Sequence, residues 1–175
     1  LAVCYRSNVW NIGAEGQFLF GIIAGVGIAL WLTTQGIVLP QIVAVPVVLL
    51  GSVLGGMAWA AITALLRDKF NANEILVSLM LVYVAQQLVN YLVFGPWKDP
   101  AGFNFPQTKN FDASTFLPLL LPGTRLNIGI VIALVCVALT WVFMFRLFRG
   151  YQLQVGGLAP AAARYAGFSA SGSLW

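Results

Sequence analysis

Three stretches of the chain contain no Asp, Glu, Lys or Arg: residues 17–66, 75–97 and 126–145. They are 50, 23 and 20 residues long. An α-helix needs about 20 apolar residues to cross the hydrocarbon core of a bilayer, so the first stretch is long enough to cross twice. The sequence therefore predicts an all-α fold, a polytopic transmembrane helix bundle with about four spans.

Composition excludes several other classes of protein. Hydrophobic residues make up 60% of the chain and charged residues only 8%, with a mean hydropathy of +0.89. A soluble domain is about one quarter charged, so a large soluble core is excluded. The nine basic residues are scattered, which predicts no nucleic-acid partner. Histidine is absent and Cys4 lies far from Cys136, so we expect no metal site, no cofactor and no catalytic residue.

Turn signals divide the apolar stretches into helices. Residues 33–36 and Pro40 end the first crossing, and Gly95 with Pro96 ends the third. Asn73 and Glu74 suit a helix start, because Asn caps free amides and Glu favours the positive end of the helix dipole. The predicted helices cover about residues 12–32, 42–66, 73–94 and 127–145.

The distribution of basic residues predicts the orientation. Four crossings place six basic residues on one side and three on the other: Arg6, Arg67, Lys69, Arg146, Arg149 and Arg164 against Lys98, Lys109 and Arg125. Basic residues are retained in the cytoplasm, so the six-residue side should be cytoplasmic. Residues 95–125 then form an external loop, and residues 146–168 a cytoplasmic segment. Residue 1 is not Met and no secretory signal is present, so we expect the chain to be part of a longer protein.

The segment NIGAEGQ, residues 11–17, places Asn11, Glu15 and Gln17 at the mouth of the first apolar helix. An ionisable group at membrane depth normally faces a water-filled cavity or a protein partner. Glycines beside it permit a broken first helix, whose freed backbone groups can contact a solute or a neighbouring helix. Alternatively, Glu15 simply marks the interfacial end of the helix.

Small residues recur four positions apart in the first two helices: Gly21 with Gly25, Gly51 with Gly55, and Ser52 with Gly56. This spacing lets helix backbones approach closely and predicts a tightly packed bundle. The third helix carries polar residues in an apolar run: Ser78, Tyr83, Gln86, Gln87 and Asn90. They could bond one helix to another or line a polar route through the membrane.

Residues 156–167 carry the signals of a short cytoplasmic helix. Pro160 suits the first helical position and Gly167 suits a C-terminal cap. Such a helix would offer a rigid contact to a cytoplasmic partner. The alternative is an ordinary loop between helices.

Four motifs in order resemble the permease subunits of bacterial ABC importers, in the branch that includes simple-sugar and nucleoside permeases. NIGAEGQ at 11–17 looks like the family's NIGxEGQ signature, and NEILVSLMLVY at 73–83 is similar to its NEVIxTLMLNY stretch. GPWKDP at 95–100 with PQT at 106–108 resembles the external loop that follows. GLAPAAARYAG at 157–167 looks like the coupling helix that docks on the ATPase, GxNPxAARYAGI. Val82 and Ala159 replace the family's usual Asn.

The resemblance implies roles for particular residues. It identifies residues 1–175 as part of a transmembrane permease domain and implies a substrate pathway that includes Asn11, Glu15, Gln17, Ser78 and Gln86. It also implies an ATPase coupling element built from Gly157, Pro160, Ala161, Ala162, Arg164, Tyr165 and Gly167. Val82 would alter a polar position in the pathway.

The implied partners are cytoplasmic ATP-binding subunits, a second permease subunit, an external solute-binding protein and membrane lipid. The chain has no GxxxxGK[ST] loop, so ATP hydrolysis is expected in a separate subunit. The implied location is the bacterial inner membrane, as a multi-pass protein.

The expected solute is a nucleoside or purine-like compound, with a simple sugar as the alternative. A membrane-embedded enzyme using Glu15 with Asn11 and Gln17 would need a second titratable group at hydrogen-bond distance, and none is found within the spans. An ion channel would need a charged ring or a carbonyl filter, and the sequence has no such motif. A transport permease is therefore the leading interpretation.

Overall fold

A computed structural model describes residues 2–102, 105–121 and 123–168. Within these ranges the chain is helical and forms no extended strand. The α-helices are α1 (Ala2–Arg6), α2 (Ala14–Thr34), α3 (Gln41–Phe70), α4 (Glu74–Phe94), α5 (Gly129–Arg146), α6 (Phe148–Leu158) and α7 (Pro160–Tyr165). Four of them, α2 to α5, are long and apolar enough to cross a membrane. The predicted all-α fold and its four spans are confirmed.

Helix α3 is longer than the sequence predicts. It has 30 residues, which corresponds to about 45 Å, and it continues through Arg67 and Lys69 to Phe70. Charged residues end a membrane span but not a helix, and cations are favourable in a last helical turn. Pro46 lies inside the helix near its start, where it removes one backbone hydrogen bond.

The break expected in the first helix lies ahead of the membrane span. The chain is helical in α1, non-helical over residues 7–13, and then continuous over the 21 residues of α2. Gly13 is the N-cap of α2 and Gly16 lies within its first turn. The glycine at position 16 therefore does not interrupt the helix.

The chain divides into two compact units. Residues 12–65 and 75–116 form the three-helix unit, which contains α2, most of α3 and most of α4. The α5 unit contains the described residues of 1–11, 66–74 and 117–175, and with them α1, α5, α6 and α7. Within it Arg67 and Glu74 form an ion pair at 2.8 Å between the end of α3 and the start of α4.

In the three-helix unit α2 packs antiparallel on α3 through small residues. A Cβ atom built on Gly21 would lie 2.9 Å from the carbonyl oxygen of Ser52, and one built on Gly56 would lie 3.1 Å from the carbonyl oxygen of Gln17. Gly25 also contacts the Ser52 side chain. Each of these positions would lose its close contact if it carried a larger side chain, so the packing predicted from the four-residue spacing is confirmed.

The loop after α4 folds back over the turn between α2 and α3. Gln41 Nε2 donates to the carbonyl oxygen of Phe116 at 2.8 Å, and the amide of Asp112 donates to Thr33 Oγ1 at 3.4 Å. A Cβ atom built on Gly27 would lie 3.5 Å from the ring of Trp97. These contacts attach the loop of residues 95–125 to α2 and to the start of α3.

In the α5 unit α6 packs back on the end of α5. Gly150 is buried against the backbone of Phe143 and Met144, and Gln154 Nε2 donates to the carbonyl oxygen of Met144 at 2.7 Å. Further along α6, Gly157 contacts the backbone of Arg6 in α1. Glycines at these two positions allow α6 to lie close to both neighbours.

Candidate functional site

The NIGAEGQ segment begins α2 and packs on α4. Gly13 is buried, and a Cβ atom built on it would lie 2.8 Å from the Cβ atom of Ser78. One turn further along, a Cβ atom built on Gly16 would lie 3.0 Å from the Cα atom of Val82. The two helices run in the same direction here, and the first turn of α2 lies beside the second and third turns of α4. Helix α2 is therefore displaced along its axis relative to α4.

Trp59 of α3 packs against α2 beside this contact. Its ring stacks on Phe20 with centroids 4.3 Å apart, and a Cβ atom built on Gly16 would lie 3.3 Å from its Nε1 atom. The Nε1 atom is buried and has no hydrogen-bond partner among the described residues. The sequence did not single out Trp59, because a tryptophan in an apolar helix carries no signal beyond its hydrophobicity.

The three polar residues of NIGAEGQ occupy different environments. Glu15 is exposed on the surface of the three-helix unit, next to the buried Gly16. Gln17 is half-buried, and its backbone faces Gly56 of α3. Asn11 is half-buried and precedes the three-helix unit. Glu15 and Gln17 thus lie at the start of α2, with the Glu15 side chain exposed outside the interhelical contacts.

Ser78 and Gln86, both predicted pathway residues on α4, differ in burial. Ser78 is 1% exposed, and its hydroxyl donates to the carbonyl oxygen of Ile75 at 3.1 Å. Gln86 is exposed and lies about 80° around the helix from Ser78. Val82 is buried against Gly16, which makes it a packing position in this chain.

Helix α4 carries a polar exposed face along its second half. Four side chains fall within an arc of about 100°, and all four are exposed: Tyr83, Gln86, Gln87 and Asn90. Between them they present phenol and carboxamide groups without a charge. Because uncompensated polar groups are costly in lipid, such a face requires water, a solute or a protein partner against it.

The predicted coupling segment forms α7, with both predicted end signals in place. Pro160 occupies the first turn of the helix. Gly167 has a φ of +78°, its amide donates to Arg164 at 3.0 Å, and the amide of Phe168 donates to Ala163 at 2.9 Å. This pair of bonds is a Schellman motif, which satisfies the free carbonyl groups at the end of the helix.

The side chains of α7 are presented outward. Ala163 is buried at 5% exposure, whereas Tyr165 is 99% exposed. The remaining predicted coupling residues of α7 are exposed as well: Pro160, Ala161, Ala162 and Arg164. Gly167, just after α7, is also exposed. Gly157 instead contacts α1 and so positions the segment. The arrangement leaves small, basic and aromatic groups available to a partner.

Asp112 caps the short 3₁₀ turn of residues Ala113–Thr115, in the loop predicted to be external. Its carboxylate accepts a hydrogen bond from the amide of Ser114 at 2.9 Å. The hydrogen bonds from the Ser114 side chain and then from its backbone lower the pKa of the Asp112 carboxyl below its ordinary value. This cap fixes the loop close to the end of α2.

Comparison with known proteins decides the family. The family model described as the permease component of the branched-chain amino acid transport system matches residues 1–173. The chain belongs to this permease family. The resemblance drawn from its four motifs is confirmed. No solved structure matches the chain.

Relatives of this permease are named for sugar and nucleoside transport. It is 38% identical over 174 residues to a glucose ABC transporter permease protein of Haloferax volcanii, across 94% of this chain and 44% of that protein. It is 28% identical over 172 residues to a guanosine ABC transporter permease protein of Bacillus subtilis, across 97% and 47%. A nucleoside ABC transporter permease protein of Lactococcus lactis is 24% identical over 180 residues, across 99% and 48%. The chain spans a little under half the length of these relatives.

Proposed function

We propose that the chain is part of the transmembrane permease subunit of an ATP-driven ABC importer for a small, neutral, polar solute. The observation that carries the proposal is the uncharged polar face in the second half of α4, formed by Tyr83, Gln86, Gln87 and Asn90. Hydroxyl and amide groups of a nucleoside or sugar pair well with carboxamides and phenols. This face of α4 carries no charge that would pair with a charged solute.

A nucleoside or purine-like compound is the first candidate solute, and a simple sugar is the second. Relatives named for guanosine and for nucleosides support the first, and the relative named for glucose supports the second. Both classes carry several hydroxyl groups and no net charge. The solute-binding protein would select between them before the solute reaches α4.

The proposed pathway includes Asn11, Glu15, Gln17, Ser78 and Gln86. Glu15 is exposed on a turn that lies beside the third turn of α4, and charge on such a surface is favourable only against water or a partner. A second permease subunit packed around a shared pathway would provide a water-filled space and a protein partner for Glu15. Ser78 acts in this proposal by holding α2 against α4, since its hydroxyl is already bonded within α4.

The proposed energy source is a cytoplasmic ATP-binding subunit docked on α7. The exposed Ala161 and Ala162 permit close approach, and Arg164 and Tyr165 supply polar and aromatic contacts of the kind that anchor interfaces. An external solute-binding protein delivers the solute on the opposite side. The proposed location is the bacterial inner membrane, with the chain as part of a multi-pass subunit.

Uptake of radiolabelled guanosine, adenosine and glucose tests the proposal. The longer permease that contains this chain is reconstituted with its ATPase and binding protein, and uptake is compared with that of Gln86→Leu. Val84→Leu, an exposed apolar position on another face of α4, is the matched control. We expect Gln86→Leu to lower uptake of one solute class at least tenfold while Val84→Leu leaves it unchanged. Normal uptake in Gln86→Leu, or no ATP-dependent uptake of any of the three solutes, contradicts the proposal.

A further inference from the structure

An open groove lies between α1 and the second half of α5, entirely within the α5 unit. Its volume is about 430 Å³, which falls in the range of small-ligand sites. The lining is mostly apolar and includes Val137, Trp141 and Phe145. Thr140 also lines the groove, but its hydroxyl donates to the carbonyl oxygen of Cys136 at 2.7 Å within α5.

A guanidinium group gives the groove its polarity. Arg6 of α1 lines it, and none of its described lining residues is acidic. Trp141 carries a second guanidinium on its ring, because the Cζ atom of Arg146 lies 5.7 Å from the ring centroid. The groove therefore combines a basic residue of α1 with a mostly apolar face of α5.

The groove lies near the end of α5, next to the predicted boundary between the membrane and water. Cys136 to Phe145 form the second half of a membrane span that ends at Arg146. Aromatic side chains next to basic ones are typical of the boundary between hydrocarbon and headgroups. By the predicted orientation this boundary belongs to the cytoplasmic leaflet, where anionic lipids are concentrated.

We propose that this groove binds an anionic phospholipid of the cytoplasmic leaflet. One acyl chain lies along Val137, Trp141 and Phe145, and the phosphate group pairs with Arg6. The apolar face alone would accept any lipid, but the guanidinium favours a headgroup with net negative charge. The inference does not depend on which solute is transported.

Quenching of Trp141 fluorescence by brominated lipids tests the site. The protein is reconstituted with phosphatidylcholine and increasing fractions of brominated phosphatidylglycerol, or of brominated phosphatidylcholine as the neutral probe. Subtracting the signal of Trp141→Phe isolates this tryptophan from the five others. We expect phosphatidylglycerol to compete about fivefold better than phosphatidylcholine, the factor that one basic residue near an anionic headgroup provides.

Two variants of Arg6 separate charge from packing. Arg6→Gln should reduce the preference for phosphatidylglycerol to about one, and Arg6→Lys should retain most of it. Arg149→Gln removes an exposed charge from α6, outside the groove lining, and should leave the preference unchanged.

Three outcomes overturn the inference. Equal quenching by both lipids in the unaltered protein means an ordinary lipid boundary. Absence of quenching by either lipid means that a protein segment or a second copy of the chain covers the groove. An equal loss of preference in Arg6→Gln and Arg149→Gln means that surface charge, not the groove, attracts the lipid.

Discussion

Gly13 at the start of α2 is in direct contact with Ser78 of α4. The two residues are 65 positions apart in the sequence. A Cβ atom on Gly13 would lie 2.8 Å from the Ser78 Cβ atom and 3.1 Å from its carbonyl oxygen. Real Cβ atoms do not approach other atoms so closely, so one of the two helices would have to move. Gly13, the first glycine of the NIGAEGQ segment, thus sets the position of α2 on α4.

Substitution of Gly13 by Ala should therefore destabilise the protein. We expect a loss of about 1–3 kcal/mol in the free energy of unfolding, the usual effect of overpacking. Unfolding in detergent micelles measures it. Gly156→Ala is the matched control, because α6 has open space at this position and Ala is the better helix former. Equal stability of the two variants would show that the α2–α4 contact tolerates displacement.

Neutralising Glu15 should impair transport without affecting assembly. The carboxylate is exposed and makes no contribution to the interhelical packing, so Glu15→Gln should insert and fold normally. We expect uptake to fall at least tenfold, because a charge kept on a membrane-spanning surface is usually functional. Asp68→Asn, at the end of α3, is the control. Unchanged uptake in Glu15→Gln would favour the interpretation that Glu15 marks the end of a span.

A bulky charge on α7 should weaken docking of the ATPase. Ala162 is exposed, so Ala162→Glu should leave the fold intact while obstructing close approach by a partner. Co-purification of the ATPase and solute-stimulated ATP hydrolysis measure the effect, which should be a tenfold or larger loss. Lys69→Glu introduces the same charge on the same predicted side but outside α7. If both variants dock normally, α7 is only a connection between helices.

The predicted orientation requires Asn110 and Lys69 to lie on opposite sides of the membrane. Both side chains are exposed, so a cysteine at either position is accessible to water-soluble reagents. In a background with Cys4→Ser and Cys136→Ser, we expect intact cells to label Asn110→Cys strongly and Lys69→Cys only after permeabilisation. The reverse pattern would invert the topology.

The cap formed by Asp112 should loosen in acid. Hydrogen bonds from Ser114 lower the pKa of the Asp112 carboxyl in the folded protein below its ordinary value of 3.8. The stabilising effect is therefore complete above that value, and it is lost as the pH falls below it and through the folded pKa. We expect the exchange protection of the Ser114 amide to fall over that interval. Asp112→Asn keeps an acceptor that does not titrate, so its protection should not follow the pH.

The sequence predicts the spans well because 20 or more consecutive residues without a charge are typical of a helix that crosses a membrane. It also predicts both ends of α7, because Pro160 and Gly167 act through local backbone geometry. It places the end of α3 too early, since Arg67 and Lys69 leave the apolar core without leaving the helix.

Other features depend on contacts that no local pattern encodes. Helix α6 is not predicted, because its three glycines disfavour a helix and only packing on α5 and α1 compensates. The partners of Gly13 and Gly16 on α4 lie more than 60 residues away in the sequence. The sequence predicts a functional role for the NIGAEGQ segment but does not separate its buried packing residues from its exposed carboxylate.

The contacts among α2, α3 and α4 also bear on how the protein is made. They join helices that follow one another in the chain, and all of their residues lie between Gly13 and Val82. The partners are therefore complete once α4 has left the ribosome, before α5 is synthesised. Since these contacts need no residue beyond Val82, the three helices can associate in the membrane during translation. Later helices would then be added to a block that is already folded.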